Sequence, residues 1–582
     1  MRAYLTHVCL LGSAAYLCCR DQANAHNHTG CRYIPGDAGW PSVTDWSKLN
    51  TTVSGRLIAT VPLARICHVQ PYNDYSETAC AALQSVWTEA QTYELRPAEV
   101  MTPYFQNQSC DPFTSISKSC ELGNAPAFSI NVTGADDVVA GITFARKKNV
   151  RLVIKNTGHD YNGKSVGKGA LSLWMFNLKT VDIMREYQSA TYSGPAVKLG
   201  PGVIAGEAYE ALSGAGFRIV GGECSSVGVA GGYAQGGGHS VLNSAYGLAA
   251  DNVLEWEVVT AAGKHLVATP DKNADLYWAL SGGGGGTYGV VLSMTMKIHP
   301  DGPIASGSLS FTVAGSQNES RFWEAVELWF RQLPSLTRNN NTVLFQLANG
   351  TFSAFAITLP DQSSSAVSAL LAPYLAELDR LNVTYALTSS SSATYLDYFT
   401  GTLGPFLGPL PYGTVAPTEI WISRLIPRAL PLNATANARL VDVYREAVGD
   451  GTFFIGCNVI DVANTSHPAN AVLPAWRDSV ALCNIVAQWD YKAPLAQNYA
   501  LKQRLAYILQ PAVEALIPDS GVYLNEVDPW YQGDWKKEMY GVNYARLLRI
   551  KHKYDPHYLL YGHFAVGSDE FTIDNSGRLC RT

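Results

Sequence analysis

Apolar and polar residues follow two different periods between residues 127 and 300. Asp136 and Asp137 precede a segment whose apolar positions have helical spacing, 138–148, and a strand-like run follows at 150–154. Helical and strand-like segments continue to alternate along the chain, with a predicted helix at 206–212, a strand at 253–260, a helix at 275–280 and a strand at 288–298. This alternation predicts an α/β unit.

The pattern changes after residue 300. Helical spacing covers 322–330 and 363–381, and two strand-like runs lie between them within 342–359. Asn349-Gly350 separates the two runs and is a hairpin turn signal. These features predict a second domain of antiparallel sheet and helices.

The C-terminal segment, 540–571, is an amphipathic helix that stops near Asp555-Pro556 and continues as a loop. The chain has 582 residues, 47% hydrophobic and 15% charged, so it can bury a large core and exceeds the usual size of one domain. We expect two domains, with the C-terminal segment returning to the first.

The N-terminus has the layout of a secretory signal peptide, 1–25. Arg2 precedes an apolar run at 8–17 that is too short to span a bilayer, and a small-residue site follows at 23–25. We therefore expect a secreted or lumenal protein that is glycosylated. Its Asn-x-Ser/Thr sequons are at Asn27, Asn50, Asn107, Asn131, Asn318, Asn340, Asn349, Asn382, Asn433 and Asn464.

The cysteine count leaves one cysteine over. Three of the 12 lie in the predicted signal peptide, and an odd number, nine, remains in an oxidising compartment. Eight could form four disulfides, with short loops at Cys67 to Cys80 and Cys110 to Cys120. Cys224 lies inside a glycine-rich run and is the natural candidate for other chemistry.

Two nucleotide-binding patterns fail on context. The segment 158–165, GHDYNGKS, matches a phosphate-binding loop, and the overlapping segment 163–167, GKSVG, matches a nucleophile elbow. A strand-like run follows both segments where each motif needs a helix. The segment 281–289, SGGGGGTYG, lies after a helix and before a strand, the reverse of a dinucleotide-binding turn. It is either a flexible loop or a turn whose backbone lies against a cofactor, and the ordered flanks favour the turn.

His159 and Cys224 lie in glycine-rich segments, and both side chains are potential nucleophiles. Either residue alone is more often structural. A flavin needs glycine backbones close to its diphosphate and ring, and it can be tethered by a neutral imidazole at its 8-methyl group or by a thiolate at C6. The pairing therefore suggests a flavin held by two covalent bonds.

Five ordered motifs resemble one flavoprotein family. They are GHDY at 158–161, CSSVGVAGGYAQGGGHS at 224–240, YGLAADNVLEWEVVTAAG at 246–263, DLYWALSGGGGGTYGVV at 275–291 and NYARLLRIKHKYDP at 543–556. The chain resembles the berberine-bridge-enzyme-like branch of the vanillyl-alcohol-oxidase superfamily, especially secreted fungal oxidases of the isoamyl-alcohol-oxidase-like type. The matching motifs follow one another closely over 126–300, and the match is weaker over the last forty residues.

The resemblance implies an α+β fold. It consists of a two-subdomain FAD-binding domain of the vanillyl-alcohol-oxidase (PCMH) type and an α/β substrate domain built on an antiparallel sheet. The boundaries we predict are 26–300 for the FAD-binding domain, with its core at 126–300, 301–520 for the substrate domain, and 521–582 for the returning segment.

The resemblance also implies FAD bound covalently to His159 and Cys224. Either Tyr233 or His239 would bond the ribityl chain. The remaining residues expected around the cofactor are Gly158, Asp160, Tyr161, Gly228, Gly231, Gly236, Gly237, Gly238 and Gly289.

The family reaction moves hydride from a substrate C–H bond to the flavin, usually with a base that takes a proton from a neighbouring O–H or N–H, and dioxygen then reoxidises the flavin to give hydrogen peroxide. Asp461 is the leading candidate for the base, followed by Tyr491 and Asp490, although an aspartate beside a strand end is usually solvated or a cap. We expect a monomer without a metal site.

The expected substrates are a hydroxyl-bearing small molecule or secondary-metabolite intermediate, and dioxygen. An oligosaccharide oxidase and a non-redox flavin-dependent cyclase stay open, and a groove near Trp421, Trp489 and Trp530 would suit a glycan. The formal charge of -6 and the lack of long lysine or arginine clusters argue against nucleic acid or an anionic membrane as partner.

Overall fold

The computed structural model describes residues 30–413, 418–463 and 465–582. The predicted signal peptide and the sequons at Asn27 and Asn464 lie outside the described residues. Among the described residues, no helix is both long and apolar enough to cross a membrane.

Within the described residues, the strands form three larger sheets and two small ones. Those before residue 300 are β1 (Leu57–Ala59), β2 (Phe128–Asn131), β3 (Leu152–Lys155), β4 (Leu171–Trp174), β5 (Val181–Gln188), β6 (Ser193–Leu199), β7 (Phe217–Arg218), β8 (Val253–Val259), β9 (His265–Ala268), β10 (Val290–Lys297) and β11 (His299–Pro300). Those that follow are β12 (Ile304–Thr312), β13 (Thr342–Ala348), β14 (Thr351–Pro360), β15 (Tyr385–Ser392), β16 (Glu419–Pro427), β17 (Phe454–Val459), β18 (Ser479–Gln488), β19 (Phe571–Ile573) and β20 (Leu579–Arg581).

The helices pack on the outside of these sheets or connect them. The first nine are α1 (Val43–Thr52), α2 (Glu77–Ser85), α3 (Ala90–Glu94), α4 (Pro103–Gln106), α5 (Ala135–Lys148), α6 (Ala205–Ser213), α7 (Asn243–Tyr246), α8 (Ala274–Leu280) and α9 (Glu319–Leu336). They are followed by α10 (Ser365–Arg380), α11 (Tyr395–Tyr398), α12 (Gly404–Leu407), α13 (Ala434–Val448), α14 (Ala475–Asp478), α15 (Leu495–Arg504), α16 (Gln510–Leu516), α17 (Trp535–Tyr540) and α18 (Tyr544–Tyr554).

The first sheet, in the order β1-β2-β4-β3, contains the predicted strand–helix–strand unit. Strands β2, β4 and β3 are parallel, and α5 is the helix that connects β2 to β3. Helix α5 carries Asp136 and Asp137 in its first turn and basic residues in its last, which complements the helix dipole, and Asn149 closes it in the left-handed conformation. The helix predicted at 138–148 is confirmed.

The second sheet, in the order β5-β6-β10-β8-β9, is antiparallel throughout. The strands and helices predicted at 206–298 are present, but they do not continue the parallel α/β arrangement of the first sheet. Alternating periods identify the elements and leave the direction of pairing open, since an antiparallel sheet can also have helices between its strands.

The third sheet has seven strands in the order β15-β12-β14-β13-β17-β18-β16, all antiparallel. The predicted hairpin is confirmed: Ala348 pairs with Thr351, and Gly350 has φ +70° in the turn between them. Large apolar side chains of α9, among them Trp329 and Phe330, pack with Phe345 and Phe352 of the sheet in the main core.

The C-terminal segment lies against the first two sheets. Leu560 bridges Leu152 of β3 in parallel, and α18 packs on α8. Lys551 of α18 is buried and donates to the carbonyl oxygen of Thr287 at 2.9 Å and to Asp555 at 2.7 Å. This segment therefore encloses the loops that precede β10.

Eight of the described cysteines form four disulfides. The two predicted short loops, Cys67–Cys80 and Cys110–Cys120, are confirmed. The other two disulfides are Cys31–Cys580 and Cys457–Cys483. Among the described cysteines only Cys224 is unpaired, as the odd count predicts.

Candidate active site

A cavity of about 440 Å³ lies between the glycine-rich loops and the seven-stranded sheet. One wall comes from the loops 156–165, 222–239 and 285–289, which follow β3, β7 and α8. The other wall comes from side chains of β13, β16, β17 and β18. Segments far apart in the chain therefore meet at one site.

His159 lines this cavity in the loop after β3. Its Nε2 lies 2.7 Å from Ser226 Oγ, and burial lowers the pKa of the imidazole to about 3, with Lys155 lowering it further. The Lys155 ammonium donates to the carbonyl oxygens of Tyr93 and Arg96 at 3.1 and 2.8 Å. The imidazole is therefore neutral at ordinary pH, and when Nε2 carries the proton to Ser226, Nδ1 keeps a free lone pair.

Cys224 lines the same cavity from the loop after β7. Burial raises the pKa of its thiol to about 12, and the carboxylates of Glu223, Glu419 and Glu526 raise it as well. The free cysteine is thus a protonated thiol at neutral pH and needs a base before it can act as a nucleophile.

Several glycines leave room for a ligand. A Cβ on Gly232 or Gly286 would meet no atom within 4 Å, and both residues line the cavity. Four of the glycines predicted to lie along the cofactor also line this cavity: Gly158, which has φ +97°, Gly228, Gly231 and Gly289. Gly236, Gly237 and Gly238 lie behind the lining, packed near Asn525, Tyr523 and Tyr233.

Unpartnered polar atoms around the cavity call for a polar ligand. Asn162, Gln235 and Asn484 are at least 95% buried, and the side-chain oxygen of each has no hydrogen-bond partner. Buried acceptors of this kind are costly unless a ligand or water satisfies them. Lys164 adds a buried cation to the lining. Open glycine backbones, orphaned amide oxygens and a cation fit the ring, ribityl and diphosphate parts of FAD.

A chain of charged groups borders Cys224. His239 Nδ1 lies 3.3 Å from Glu223 Oε1, and its Nε2 lies 2.8 Å from Glu526 Oε1. These two carboxylates hold the pKa of His239 well above its usual value, although burial opposes them. Asn458 of β17 donates to Glu223 Oε1 at 2.7 Å, so the chain links the loops to the sheet.

Known proteins are similar to this chain in fold and in sequence. Residues 126–269 match the FAD binding domain family model and residues 522–563 the berberine and berberine-like model. The chain is 48% identical to the VAO-type flavoprotein oxidase VAO615 of Thermothelomyces thermophilus, over 96% of each chain. It belongs to the VAO-type, berberine-bridge-like FAD-linked oxidoreductases.

Two further relatives of this VAO-type enzyme are informative. The bifunctional decalin synthase calF of Penicillium decumbens is 51% identical over 95% of each chain. The crystal structure of MtVAO615 from Myceliophthora thermophila C1 has a TM-score of 0.91 at 47% identity and covers 95% of this chain and 100% of that one. The expected family and α+β fold are therefore confirmed.

A more distant fold neighbour is a glucooligosaccharide oxidase of Acremonium strictum, described with a 6-S-cysteinyl, 8α-N1-histidyl FAD. It has a TM-score of 0.63 at 19% identity and covers 76% of this chain and 92% of that one. This likeness concerns the fold alone.

The residues predicted to lie around His159 and Cys224 have local structural roles in this oxidoreductase. Asp160 lines the cavity and accepts from the backbone N–H groups of Asn162 and Ser165 at 3.0 and 2.7 Å, which shapes the loop. The ring of Tyr161 lies 5.9 Å from that of Trp421 on the opposite wall. Tyr233 donates to the carbonyl oxygen of His239 at 2.8 Å.

The three residues predicted as the base lie outside the cavity lining. Asp461 forms an ion pair of 2.7 Å with Arg428, and Asp490 accepts from two backbone N–H groups in a turn. Tyr491 is buried against Trp87 and Phe113. The residues of β17 that face the cavity include Gly456 and Asn458, and the chain has left the strand before residue 461.

Sequence reasoning missed two acidic residues of this oxidoreductase. Glu419 is the first residue of β16 and lines the cavity, and burial raises the pKa of its carboxyl to about 7. Glu526 lines the other wall beside Asn525, which donates to the carbonyl oxygen of Gly232 at 2.9 Å. Glu419 carries one sequence signal, a carboxylate at the start of a predominantly apolar strand.

Proposed function

We propose that this protein is a secreted oxidase that binds FAD covalently through His159 and Cys224 and oxidises a hydroxyl-bearing small molecule. The observation that carries the proposal is that His159, Cys224 and the carboxyl of Glu419 line one cavity with open glycine backbones. The four disulfides and the sequence signals for export support the secreted setting.

When bound, FAD accepts hydride from the substrate and passes the electrons to dioxygen, which yields hydrogen peroxide. The chain's residues hold and orient the reactants. Neutral His159 supplies the lone pair for one link, and the Lys164 cation balances the phosphate charge. The amide oxygens of Asn162 and Gln235 are available for polar groups of the cofactor.

Glu419 is the base we propose for the substrate hydroxyl. Its carboxyl lines the cavity from the sheet wall, and a pKa of about 7 makes it both partly ionised and a good proton acceptor at neutral pH. The amides of Asn484 and Gln346 line the cavity farther along the sheet, where Ser423 of β16 pairs with Asn484, and they are available for other polar groups of the substrate.

The tethers are tested by mapping flavin-bearing peptides. We expect the acid-precipitated wild type to stay yellow and His159→Ala and Cys224→Ala each to keep FAD through the other link. The double variant should release it. Complete release from either single variant would leave only one tether.

The oxidase reaction is tested by peroxide release and anaerobic flavin reduction with a panel of aliphatic alcohols, aromatic alcohols and cello-oligosaccharides. We expect peroxide with alcohols. Flavin that is reduced by an alcohol but does not react with oxygen would make the protein a dehydrogenase, and turnover of the oligosaccharides alone would favour a carbohydrate oxidase.

A redox-neutral cyclisation is the second candidate function. The 51% identity to a bifunctional decalin synthase favours it, together with the apolar side chains of Phe345, Phe355 and Phe454 on the sheet wall. Conversion of a linear polyene substrate without flavin reduction or peroxide would establish it in place of the oxidase reaction.

A further inference from the structure

One carboxylate oxygen in the hydrogen-bonded series Glu223–His239–Glu526 has no donor. Glu223 Oε1 faces two nitrogen atoms, Asn458 Nδ2 at 2.7 Å and His239 Nδ1 at 3.3 Å. Glu526 Oε1 is engaged by His239 at 2.8 Å, whereas Glu526 Oε2 is buried without a partner. A buried carboxylate oxygen without a donor is costly to keep, so this atom is available to accept a proton from a group in the cavity.

Cys224 is a group that needs such an acceptor. Its thiol lines the same cavity, and Glu223, Glu419 and Glu526, from two loops and β16, are the charged groups that act on it. Burial, together with these carboxylates, raises the pKa of the Cys224 thiol to about 12, so the thiolate is scarce at neutral pH. Formation of a thioether requires the thiol to lose its proton.

We propose that Glu526 is the base that accepts the Cys224 proton while the cysteinyl link to FAD forms, with His239 and Glu223 as positioning residues. This rests on the proposed function. The bond from Cys224 Sγ to C6 of the flavin ring forms as the S–H and C6–H bonds break, which releases two protons. The two electrons pass into the ring and then to dioxygen, which takes up two protons to give hydrogen peroxide.

The three carboxylates around Cys224 differ in their buried oxygens. Glu526 Oε2 is buried without a hydrogen-bond partner, whereas neither Glu419 nor Glu223 has such an oxygen. Glu223 Oε1 is held between Asn458 and His239. His239 has both ring nitrogens engaged, Nε2 with Glu526 at 2.8 Å and Nδ1 with Asn458 Nδ2 at 2.9 Å and Glu223 at 3.3 Å, so it orients Glu526 and does not take the proton itself.

The first test maps flavin-bearing peptides by mass in Glu526→Gln, with alkylation of Cys224 after unfolding as a second readout. We expect FAD on His159 alone, with the cysteinyl link forming about 100-fold more slowly or worse at pH 7. Glu514→Gln is the matched control, because Glu514 lies outside the cavity lining near Arg424, and it should carry both links.

A pH profile separates a lost base from a lost structure. In Glu526→Gln the cysteinyl link should form about tenfold faster per pH unit between pH 7 and 9, because the thiol must then ionise unaided. The wild-type rate should change little. His239→Gln should keep the histidyl link, and its rate of cysteinyl-link formation should lie between those of the wild type and Glu526→Gln. If Glu526→Gln fails to fold, Glu526→Asp replaces it and should retain part of the wild-type rate.

Two outcomes overturn the proposal. One is a Glu526→Gln variant that carries both links at the wild-type rate, and the other is Glu419→Gln as the variant that loses the cysteinyl link. A wild type with no cysteinyl link would instead refute the proposed function, and this inference with it.

Discussion

Burial disfavours the charged form of both His159 and Glu419. It lowers the pKa of His159 to about 3 and raises that of Glu419 to about 7. The first shift keeps a nucleophilic imidazole neutral, and the second gives a carboxyl that can exchange a proton at neutral pH. One physical cause thus prepares two residues for different tasks.

Glu419→Gln tests the base at the residue scale. The amide cannot accept the hydroxyl proton, so anaerobic flavin reduction by an alcohol substrate should slow by about 100-fold or more while the flavin spectrum stays intact. In the wild type the rate should rise with pH through about 7, because only the ionised carboxyl accepts, and this rise should be absent in the variant. Unchanged reduction would show that Glu419 is not the base.

Ser226→Ala tests the orientation of His159. The hydroxyl lies 2.7 Å from Nε2, so it holds that nitrogen and leaves Nδ1 for the proposed link. Loss of one hydrogen bond should slow formation of the histidyl link by about tenfold, followed by mass as the flavin-bearing peptide that contains His159. Ser226→Thr keeps the hydroxyl and should retain the link, and equal rates in both variants would contradict this role.

At the element scale, the register of the seven-stranded sheet builds the substrate side. Gln346 of β13 pairs with Gly456 of β17, which pairs with Asn484 of β18. Two amides therefore flank a glycine in one row across three strands. A Cβ on Gly456 would come no closer than 4.0 Å to Phe454 Cε2, so the space above this glycine is open.

Filling that space should exclude substrate and leave the fold intact. We expect Gly456→Leu to keep both flavin links and to raise the alcohol concentration needed for half-maximal flavin reduction by about tenfold or more. Gly456→Ala adds only a methyl group and should have a smaller effect. Equal affinity in all three proteins, measured by stopped-flow reduction, would place the substrate elsewhere.

At the scale of the whole molecule, Cys31–Cys580 closes the described chain with a sequence separation of 549. It ties the N-terminal segment to the C-terminal segment that lies against β3 and the loops of the cavity. The loop that this disulfide closes therefore includes both walls of the site.

Removal of this disulfide should destabilise the protein more than removal of a local one. The chain-entropy model gives about 6 kcal/mol for Cys31–Cys580 and about 3 kcal/mol for Cys67–Cys80, whose separation is 13. We expect the paired serine variants to lower the urea midpoint in that order, measured by the change in flavin fluorescence on unfolding and by circular dichroism. The reverse order would show that native packing outweighs loop length.

The amino-acid sequence by itself determined the secondary-structure elements and singled out His159 and Cys224. Periodicity located α5, the hairpin at Asn349-Gly350 and the helix of the C-terminal segment, because side-chain burial imposes those periods locally. The odd cysteine count isolated Cys224, and the glycine-rich context singled out His159. The family followed from the order of five motifs.

Only the tertiary structure decided which acidic residues face the cavity. Glu419 and Glu526 are 107 positions apart in the chain, and Asp461, between them, falls outside the lining although the sequence favoured it. A strand sends successive side chains to opposite faces, and a loop has no fixed period, so position in the chain does not fix direction. The antiparallel second sheet was likewise undetermined, since pairing direction depends on contacts between distant strands.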